Sequence, residues 1–195
     1  MHRHRKQQGC TIWFTGLSGS GKTTCSRIVE KKLAASGLKT EILDGDIIRE
    51  NLSKGLGFSK VDRDTNIRRI GFVADLLTRN GVYVLVAAIS PYQEVRQWVR
   101  QKIGRFMMVY CTAPLDILEA RDVKGLYKRA RLGEIDNFTG VTDPYEPPQN
   151  PEVIICSDGT ETKEESADKV VQTLVRLGLI ANHAELLLSA SSDTA

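Results

Sequence analysis

Short apolar runs alternate with longer stretches of helical pattern along the 195 residues. Runs of strand length occur at residues 10–15, 40–43, 82–89, 106–111 and 153–156. The intervening pattern predicts helices at residues 22–36, 62–80, 92–103, 114–121 and 163–177. The run 82–89 is apolar almost throughout, as is typical of the central strand of a parallel sheet.

This alternation predicts an α/β fold of three layers, in which a mostly parallel sheet is flanked by helices. We expect a single domain over residues 1–180, because a chain of this length can form one substantial core. Residues 122–152 are rich in Gly, Pro and charge, which is typical of a functional loop, and we place a lid at about 122–150. The small and polar residues 181–195 predict a flexible tail.

A glycine-rich loop follows the first predicted strand and precedes the first predicted helix. Residues 16–23, GLSGSGKT, match the P-loop pattern G-x-x-x-x-G-K-[S/T] at every fixed position. Backbone N–H groups of such a loop surround a β-phosphate, Lys22 reaches the β- and γ-phosphates, and the Thr23 hydroxyl holds Mg²⁺. The predicted ATP-binding residues of the loop are Gly16, Leu17, Ser18, Gly19, Ser20, Gly21, Lys22, Thr23 and Thr24.

Two carboxylates narrow the class of nucleotide-binding protein. A GTPase needs a guanine-reading N/T-K-x-D motif, which the sequence lacks, and the run 82–89 does not end in the Walker-B aspartate of motor ATPases. Asp44 and Asp46 instead follow the second predicted strand, where they converge with the P-loop and suit metal binding and activation of a hydroxyl. The alternative is a turn with a helix N-cap, which Asp46 could also provide. A small-molecule kinase is favoured.

Two basic clusters indicate an anionic acceptor. One cluster lies in DRDTNIRRIG, residues 62–71, and the other lies in the predicted lid. Such runs are often only solvated helix faces, but arginine also suits bidentate recognition of phosphate- or sulfate-like groups. A lid that closes over a phosphoryl transfer needs cationic groups as well.

The motifs together resemble those of the adenylylsulfate (APS) kinase family. The resemblance covers roughly residues 8–158 and rests on TIWFTGLSGSGKTT, LDGDIIRENL, LGFSKVDRDTNIRRIG, AAISPY, EARDVKGLYKRARLGEI and NFTGVTDPYEPP. It implies transfer of phosphate from ATP to the 3′-hydroxyl of adenosine 5′-phosphosulfate, with Mg²⁺ required and a homodimer common. No sulfurylase domain is recognisable in the sequence, so we expect the monofunctional form.

The resemblance also implies roles for individual residues. Asp46 corresponds to the acid that contacts the acceptor hydroxyl and serves as base, and Asp44 lies near the metal. Phe58 and Phe138 correspond to two aromatic faces that stack on the acceptor adenine, and their Gly- and charge-rich surroundings predict that both are exposed. The remaining acceptor residues implied are Arg49, Arg63, Asn66, Ile89, Ser90, Lys124, Gly125 and Leu126. Arg121 and Arg131 correspond to residues around the ATP base and phosphates.

Ser90 matches a family position associated with a phosphoserine intermediate. No base is evident beside it in the sequence, so we favour direct in-line transfer, with Ser90 as a substrate contact or a helix N-cap.

Composition excludes little but is consistent with this interpretation. A net charge of +3 is too small to indicate a nucleic-acid partner, and no apolar run approaches the ~20 residues of a membrane span. The four cysteines form no CxxC pair, so neither a zinc site nor disulfides are expected. The basic N-terminus lacks the apolar core of a secretory signal, which predicts a cytoplasmic protein, with an organellar stroma left open.

Two alternatives stay open at this point. One is a related P-loop small-molecule kinase with another acceptor, and the other is a non-catalytic nucleotide-binding domain. The intact Gly21, Lys22 and Thr23 argue against the second.

Overall fold

A computed structural model describes residues 8–180 and has a five-stranded parallel sheet at its centre. The strand order is β2-β3-β1-β4-β5, and every pairing is parallel. The strands are β1 (Cys10–Thr15), β2 (Thr40–Asp44), β3 (Tyr83–Ala87), β4 (Phe106–Thr112) and β5 (Val153–Cys156). The helices are α1 (Lys22–Ala35), α2 (Gly45–Asn51), α3 (Lys60–Arg79), α4 (Gln93–Ile103), α5 (Leu115–Arg121), α6 (Leu126–Arg131) and α7 (Lys163–Arg176).

The central strand β1 divides the core into two halves. Its even-numbered residues, such as Ile12 and Phe14, face α1 and α7, whereas Trp13 faces α3 and α4. Every residue of β1 is buried, because strands on both sides and helices on both faces cover it. The three-layer α/β prediction is therefore confirmed.

Helix ends follow local capping chemistry. Ser59 caps α3 by accepting the N–H of Asp62 at 3.2 Å, and Thr162 and Glu165 form a reciprocal capping box on α7. The four cysteines are free, as expected. No helix within residues 8–180 combines the length and the apolar character needed to cross a bilayer.

Two short helices are missing from the sequence-based assignment. α2 has seven residues and α6 has six, too few to produce a recognisable apolar period, and α6 lies inside the segment predicted to be a lid. Strand β3 ends at Ala87, earlier than predicted, and the turn that follows contains Ser90 with a φ of 41°. The predicted tail, residues 181–195, lies outside the described residues.

Candidate active site

A cleft of about 1050 Å³ opens at the carboxyl ends of β1, β2 and β3. The P-loop lies at one end, α2 and the start of α3 form a wall, and residues from Asp122 to Thr139 cover the opposite side. This is the edge at which parallel α/β sheets bind ligands, since several strand ends and helix N-termini converge there. Most of the residues predicted from sequence line this single cavity.

The P-loop turns tightly between β1 and α1. A side chain at Gly16 would lie 2.0 Å from the Cys111 carbonyl oxygen, and Gly21 adopts a φ of 88° directly before α1. Both positions therefore require glycine. The Ser20 hydroxyl is buried within the loop and has no hydrogen-bond partner among the described residues. Successive backbone N–H groups in a glycine-rich turn of this kind suit the binding of an anion.

Lys22 lies at the first turn of α1 and faces the cleft. Its Nζ donates to the Leu17 carbonyl at 2.6 Å, back across the loop. The pKa of Lys22 is lowered to about 8, chiefly by desolvation and also by nearby Lys124, although Cys111, Asp46 and Asp44 offset part of the effect. An anionic phosphate in the loop would restore the charged form, because opposite charge favours it.

Thr23 and Asp44 bring two hard oxygen ligands together beside the loop. The Thr23 hydroxyl donates to Asp44 Oδ2 at 3.1 Å, and Asp44 Oδ1 accepts the Asp46 N–H at 3.0 Å. The N-cap of α2 is therefore Asp44, and the interpretation of Asp46 as that cap is wrong. A carboxylate and a hydroxyl next to a phosphate site fit Mg²⁺, which takes few protein ligands and keeps several waters.

Asp46 extends into the cleft from the first turn of α2. Its side chain is 76 % exposed, and its carboxylate forms an ion pair with Lys124 from the opposite side of the cleft. The two groups are 78 positions apart in sequence, so the ion pair joins the lid to the α2 wall. The Asp46 side chain does not cap α2, since Asp44 performs that role.

An arginine pair surrounds Phe58 at the end of the cleft away from the P-loop. Arg49 lies over the Phe58 ring at 4.4 Å, and its Nη1 donates to the Gly57 carbonyl at 2.9 Å. Arg63 donates to the Phe58 carbonyl at 2.9 Å and also to the carbonyl of Asn137 on the lid. Burial lowers the pKa of both guanidinium groups, and nearby aspartates offset part of the effect.

Phe58 and Phe138 differ in exposure. Phe58 is 51 % exposed, as predicted, whereas Phe138 is only 8 % exposed, so the prediction that both are exposed is wrong for Phe138. Phe138 packs edge-on against Tyr127 with ring centroids 5.1 Å apart, inside a small apolar cluster of the lid. Both rings nevertheless border the cavity.

Two buried polar atoms beside these rings have no partner among the described residues. They are Asn66 Oδ1 on α3 and Thr139 Oγ1 on the lid, and both residues line the cleft. Buried polar groups normally find a hydrogen-bond partner, and a ligand bound in the cleft would be able to supply one here. Asn66 was predicted, whereas Thr139 was missed, because an isolated threonine in a loop gives no sequence signal.

Ser90 lies at the floor of the cleft and is 1 % exposed. Its Oγ accepts the indole N–H of Trp13 at 3.0 Å and lies 3.1 Å from Thr15 Oγ1. The N-cap of α4 is Tyr92, so the interpretation of Ser90 as an N-cap is wrong. No histidine or carboxylate is among its side-chain hydrogen-bond partners in the described part of the chain. Nothing there would activate the hydroxyl as a nucleophile.

The segment predicted to be a lid contributes further residues near α6. Gly125 adopts a φ of 65° before α6, and Leu126 lines the cleft next to Lys124. Tyr127 was missed from the sequence, although its hydroxyl donates to the Ser18 carbonyl at 2.9 Å and so ties α6 to the P-loop. Ile89 lines the floor beside Ser90.

Two of the predicted residues point away from the cavity. Arg121 donates to the carbonyl of Ser157, whose hydroxyl reaches the Ser20 carbonyl at 3.2 Å, so it lies behind the P-loop. Arg131 pairs with Glu119 on the surface. Neither guanidinium lines the cleft described above.

Comparisons with known proteins agree with this geometry. Residues 8–156 match the family model described as adenylylsulphate kinase. Adenylyl-sulfate kinases of Rippkaea orientalis and Microcystis aeruginosa are 64% and 63% identical over 176 and 175 residues, which is 90% of this chain and 97% and 96% of theirs. The structure of the Mycobacterium tuberculosis APS kinase in complex with AMPPNP and APS is 45% identical, with a TM-score of 0.81 over 86% of this chain and 98% of that one.

A more distantly similar solved structure resembles this chain only in fold. A gluconokinase from Sinorhizobium meliloti is 19% identical, with a TM-score of 0.59 over 89% of this chain. The match of the family model to most of the chain and the high identity over nearly the whole length of the relatives lead to one conclusion. The chain belongs to the adenylylsulphate kinase family.

Proposed function

We propose that this protein transfers the γ-phosphate of ATP to the 3′-hydroxyl of adenosine 5′-phosphosulfate. One observation carries the proposal: the P-loop and the Arg49–Phe58–Arg63 cluster line a single cleft, and Asp46 is close enough to both Lys22 and Arg49 to raise the pKa of each. A donor triphosphate and an anionic acceptor nucleotide would then meet at Asp46. The name and bound ligands of the Mycobacterium tuberculosis structure support the same assignment.

The donor end binds ATP through the P-loop residues, from Gly16 to Thr24. Their N–H groups and the N-terminus of α1 hold the phosphates, and Lys22 bridges the β- and γ-phosphates. Thr23 and Asp44 would hold Mg²⁺, which neutralises charge on the transferred phosphate. Arg121, which is joined to the P-loop through Ser157, would support that loop from behind, whereas Arg131 is held by Glu119 outside the cleft.

The acceptor end binds the phosphosulfate nucleotide. Phe58 and Phe138 would stack on the adenine, and Arg49 and Arg63 would contact the charged groups. Asn66 and the lid residues Lys124, Gly125 and Leu126 would complete the site, with Ile89 and Ser90 at its floor. The unpartnered Asn66 Oδ1 supports this, because a ligand donor would satisfy it.

Asp46 acts as the base for the acceptor hydroxyl. Its carboxylate is exposed to the cleft and held by Lys124, so an incoming hydroxyl can reach it. The proton passes to the carboxylate as the hydroxyl oxygen attacks the γ-phosphorus in line, and ADP leaves. Ser90 is a contact and not a covalent intermediate, since its hydroxyl is engaged with Trp13 and Thr15.

Residues 1–180 act as one kinase domain with a lid at about 122–150. The protein acts in the cytoplasm and takes part in the activation of sulfate. It functions as a homodimer. A related Thiobacillus denitrificans protein is described as a hexameric APS kinase, which supports self-association in the family. Gel filtration with light scattering tests the homodimer, and a monomer at micromolar concentration would contradict it.

A coupled assay tests the reaction itself. Purified protein with ATP, Mg²⁺ and APS should release ADP, and omission of APS or addition of a chelator in excess of Mg²⁺ should stop the release. The runner-up function is phosphorylation of a different small acceptor. Turnover with a sugar or another nucleoside monophosphate, at concentrations at which APS causes no release of ADP, would favour that alternative.

A further inference from the structure

A buried arginine outside the ligand-binding set connects the two ends of the cleft. Arg96 lies on α4, is 0% exposed, and does not line the cavity. None of the ion pairs among residues 8–180 involves it. A guanidinium without a carboxylate partner is costly to bury. Other hydrogen-bond acceptors must therefore compensate for the burial of its charge.

The acceptors around Arg96 are mostly backbone carbonyls, one on the cleft floor and one near the C-terminal end of the segment 122–150. Nη1 donates to the Ser90 carbonyl at 2.6 Å, and Nη2 donates to the Glu146 carbonyl at 2.6 Å and to Gln93 Oε1 at 2.8 Å. The guanidinium also lies 5.7 Å from the centre of the Tyr145 ring. The planar fork therefore holds two separate chain segments at a fixed distance.

The first of these segments is the turn after β3. Ser90 has a φ of 41°, a conformation that non-glycine residues rarely adopt, so surrounding contacts must hold it there. The indole of Trp13 holds the Ser90 side chain, and Arg96 holds its carbonyl. These two contacts fix the floor on which the acceptor end of the cleft rests.

The second segment, Tyr145 and Glu146, leads back to the P-loop. The Glu146 N–H donates to the Pro91 carbonyl at 2.9 Å, and the Glu146 carboxylate accepts the Gln93 N–H at 2.6 Å. The Tyr145 hydroxyl lies 2.9 Å from Thr15 Oγ1, and Thr15 directly precedes Gly16. Thr15 in turn donates to the Ile89 carbonyl at 2.7 Å. A chain of contacts thus runs from Arg96 to both ends of the site.

We infer that Arg96 is a positioning residue for the proposed reaction, which sets the β3–α4 turn so that the acceptor hydroxyl lies in line with the γ-phosphate. The inference rests on the proposed function. Arg96 does not line the cleft and acts through the Ser90 carbonyl. The P-loop keeps its own shape through its glycines, so loss of Arg96 should affect the acceptor end more than ATP binding.

Replacement of Arg96 tests this with kinetics at both ends. Arg96→Met should lower kcat/KM for APS about 100-fold, split between kcat and KM, because small displacements of reacting groups have effects of that size. The Kd of a non-hydrolysable ATP analogue should stay within about twofold, since that analogue reports the donor end alone. Arg96→Lys keeps the charge but not the fork, and should fall between wild type and Arg96→Met.

Arg100 provides a matched control one turn along the same helix. It lies on the same face of the helix, farther from the β3–α4 turn, and forms a two-pronged ion pair with Glu152 at 2.6 and 2.8 Å. Arg100→Met should lower the melting temperature and leave both substrate constants of the folded enzyme unchanged. A purely structural role of Arg96 predicts the same pattern for Arg96→Met, and that outcome would overturn the inference.

Gln93→Ala covers the case in which the Arg96 variants do not fold. It removes one acceptor of the fork from a half-exposed position, and should raise the KM for APS about two- to threefold with the ATP-analogue Kd unchanged. An unchanged KM for APS would contradict the inference. If the wild-type enzyme does not phosphorylate APS, the proposed function itself is wrong. Failure of the proposed function can therefore be told apart from failure of the inference about Arg96.

Discussion

The two ends of the cleft are built in different ways. The donor end comes from consecutive residues of one loop, and its backbone N–H groups and glycine conformations form most of the site. The acceptor end draws side chains from α2, the connection before α3, the β3–α4 turn and the lid, which are far apart in sequence. A site made of backbone tolerates changes of side chain, whereas a site assembled from separate segments depends on what holds those segments together.

The carboxylate between the two ends should give the largest effect. Asp46→Asn removes the proposed base and should lower kcat about 10³-fold, the range of general-base catalysis, with the Kd of an ATP analogue nearly unchanged. Single-turnover kinetics with labelled ATP would measure the chemical step. Loss of ATP-analogue binding would instead show that Asp46 belongs to the donor end. It would contradict the assignment of separate roles to the two ends.

The donor end depends most on Lys22 among its side chains. Lys22→Met should lower kcat about 100-fold, because it removes the cation that stabilises charge on the transferred phosphate. A fall of less than about threefold would show that the loop backbone suffices without this side chain.

The lowered pKa of Lys22 adds a dependence on pH. The group is protonated below its pKa of about 8, so kcat/KM for ATP should fall as pH rises above 8. The unfolded chain holds this proton up to its ordinary pKa of 10.5, so the free energy of unfolding should rise with pH between 8 and 10.5. Lys22→Arg should remove the step near pH 8 from the kcat/KM profile, and its persistence would assign the step to another group.

The acceptor end should show a smaller and more selective effect at Phe58. Phe58→Ala should raise the KM for APS about tenfold, because base–aromatic stacking contributes ~1–3 kcal/mol. The KM for ATP should stay unchanged. Phe72 on α3 is also exposed, at 56%, but does not line the cleft, so Phe72→Ala is the matched control. Equal effects of the two variants would contradict the stacking role.

The lid should give the smallest effect. Lys124 and Asp46 are both largely exposed, and exposed ion pairs contribute little, so Lys124→Ala should lower kcat no more than about fivefold. Lys128 lies on the same lid outside the cleft lining, and Lys128→Ala should be neutral. A 100-fold loss with Lys124→Ala would place this lysine in the chemistry and not only in lid closure.

The sequence predicted the P-loop and the sheet better than the exposure and local contacts of the other site residues, such as Arg121, Arg131 and Phe138. The P-loop is a contiguous pattern, and apolar runs locate each strand within a few residues. The burial of Phe138 could not be predicted, because its partner Tyr127 lies eleven positions away on a six-residue helix without a recognisable period. The role of Asp44 as the α2 cap, and not Asp46, depends on φ and ψ values that neighbouring residues do not determine.

Thr139 and Arg96 show a second limit. Each is an ordinary residue in its local sequence, and its significance comes from what surrounds it after folding: an unpartnered hydroxyl in one case and a guanidinium held by carbonyls in the other. Contacts between segments 50 or more positions apart leave no periodic trace.

The central claim is that phosphate passes directly from ATP at one end of the cleft to the nucleotide 3′-hydroxyl at the other. The most direct measurement is to incubate the protein with Mg²⁺, APS and ATP labelled in the γ-phosphate, and to locate the label in the product and on the protein. Direct transfer predicts label on the 3′-oxygen of the APS product, none with a 3′-deoxy analogue, and none retained on Ser90. Label on the protein at Ser90, or release of ADP without label transfer to APS, would contradict it.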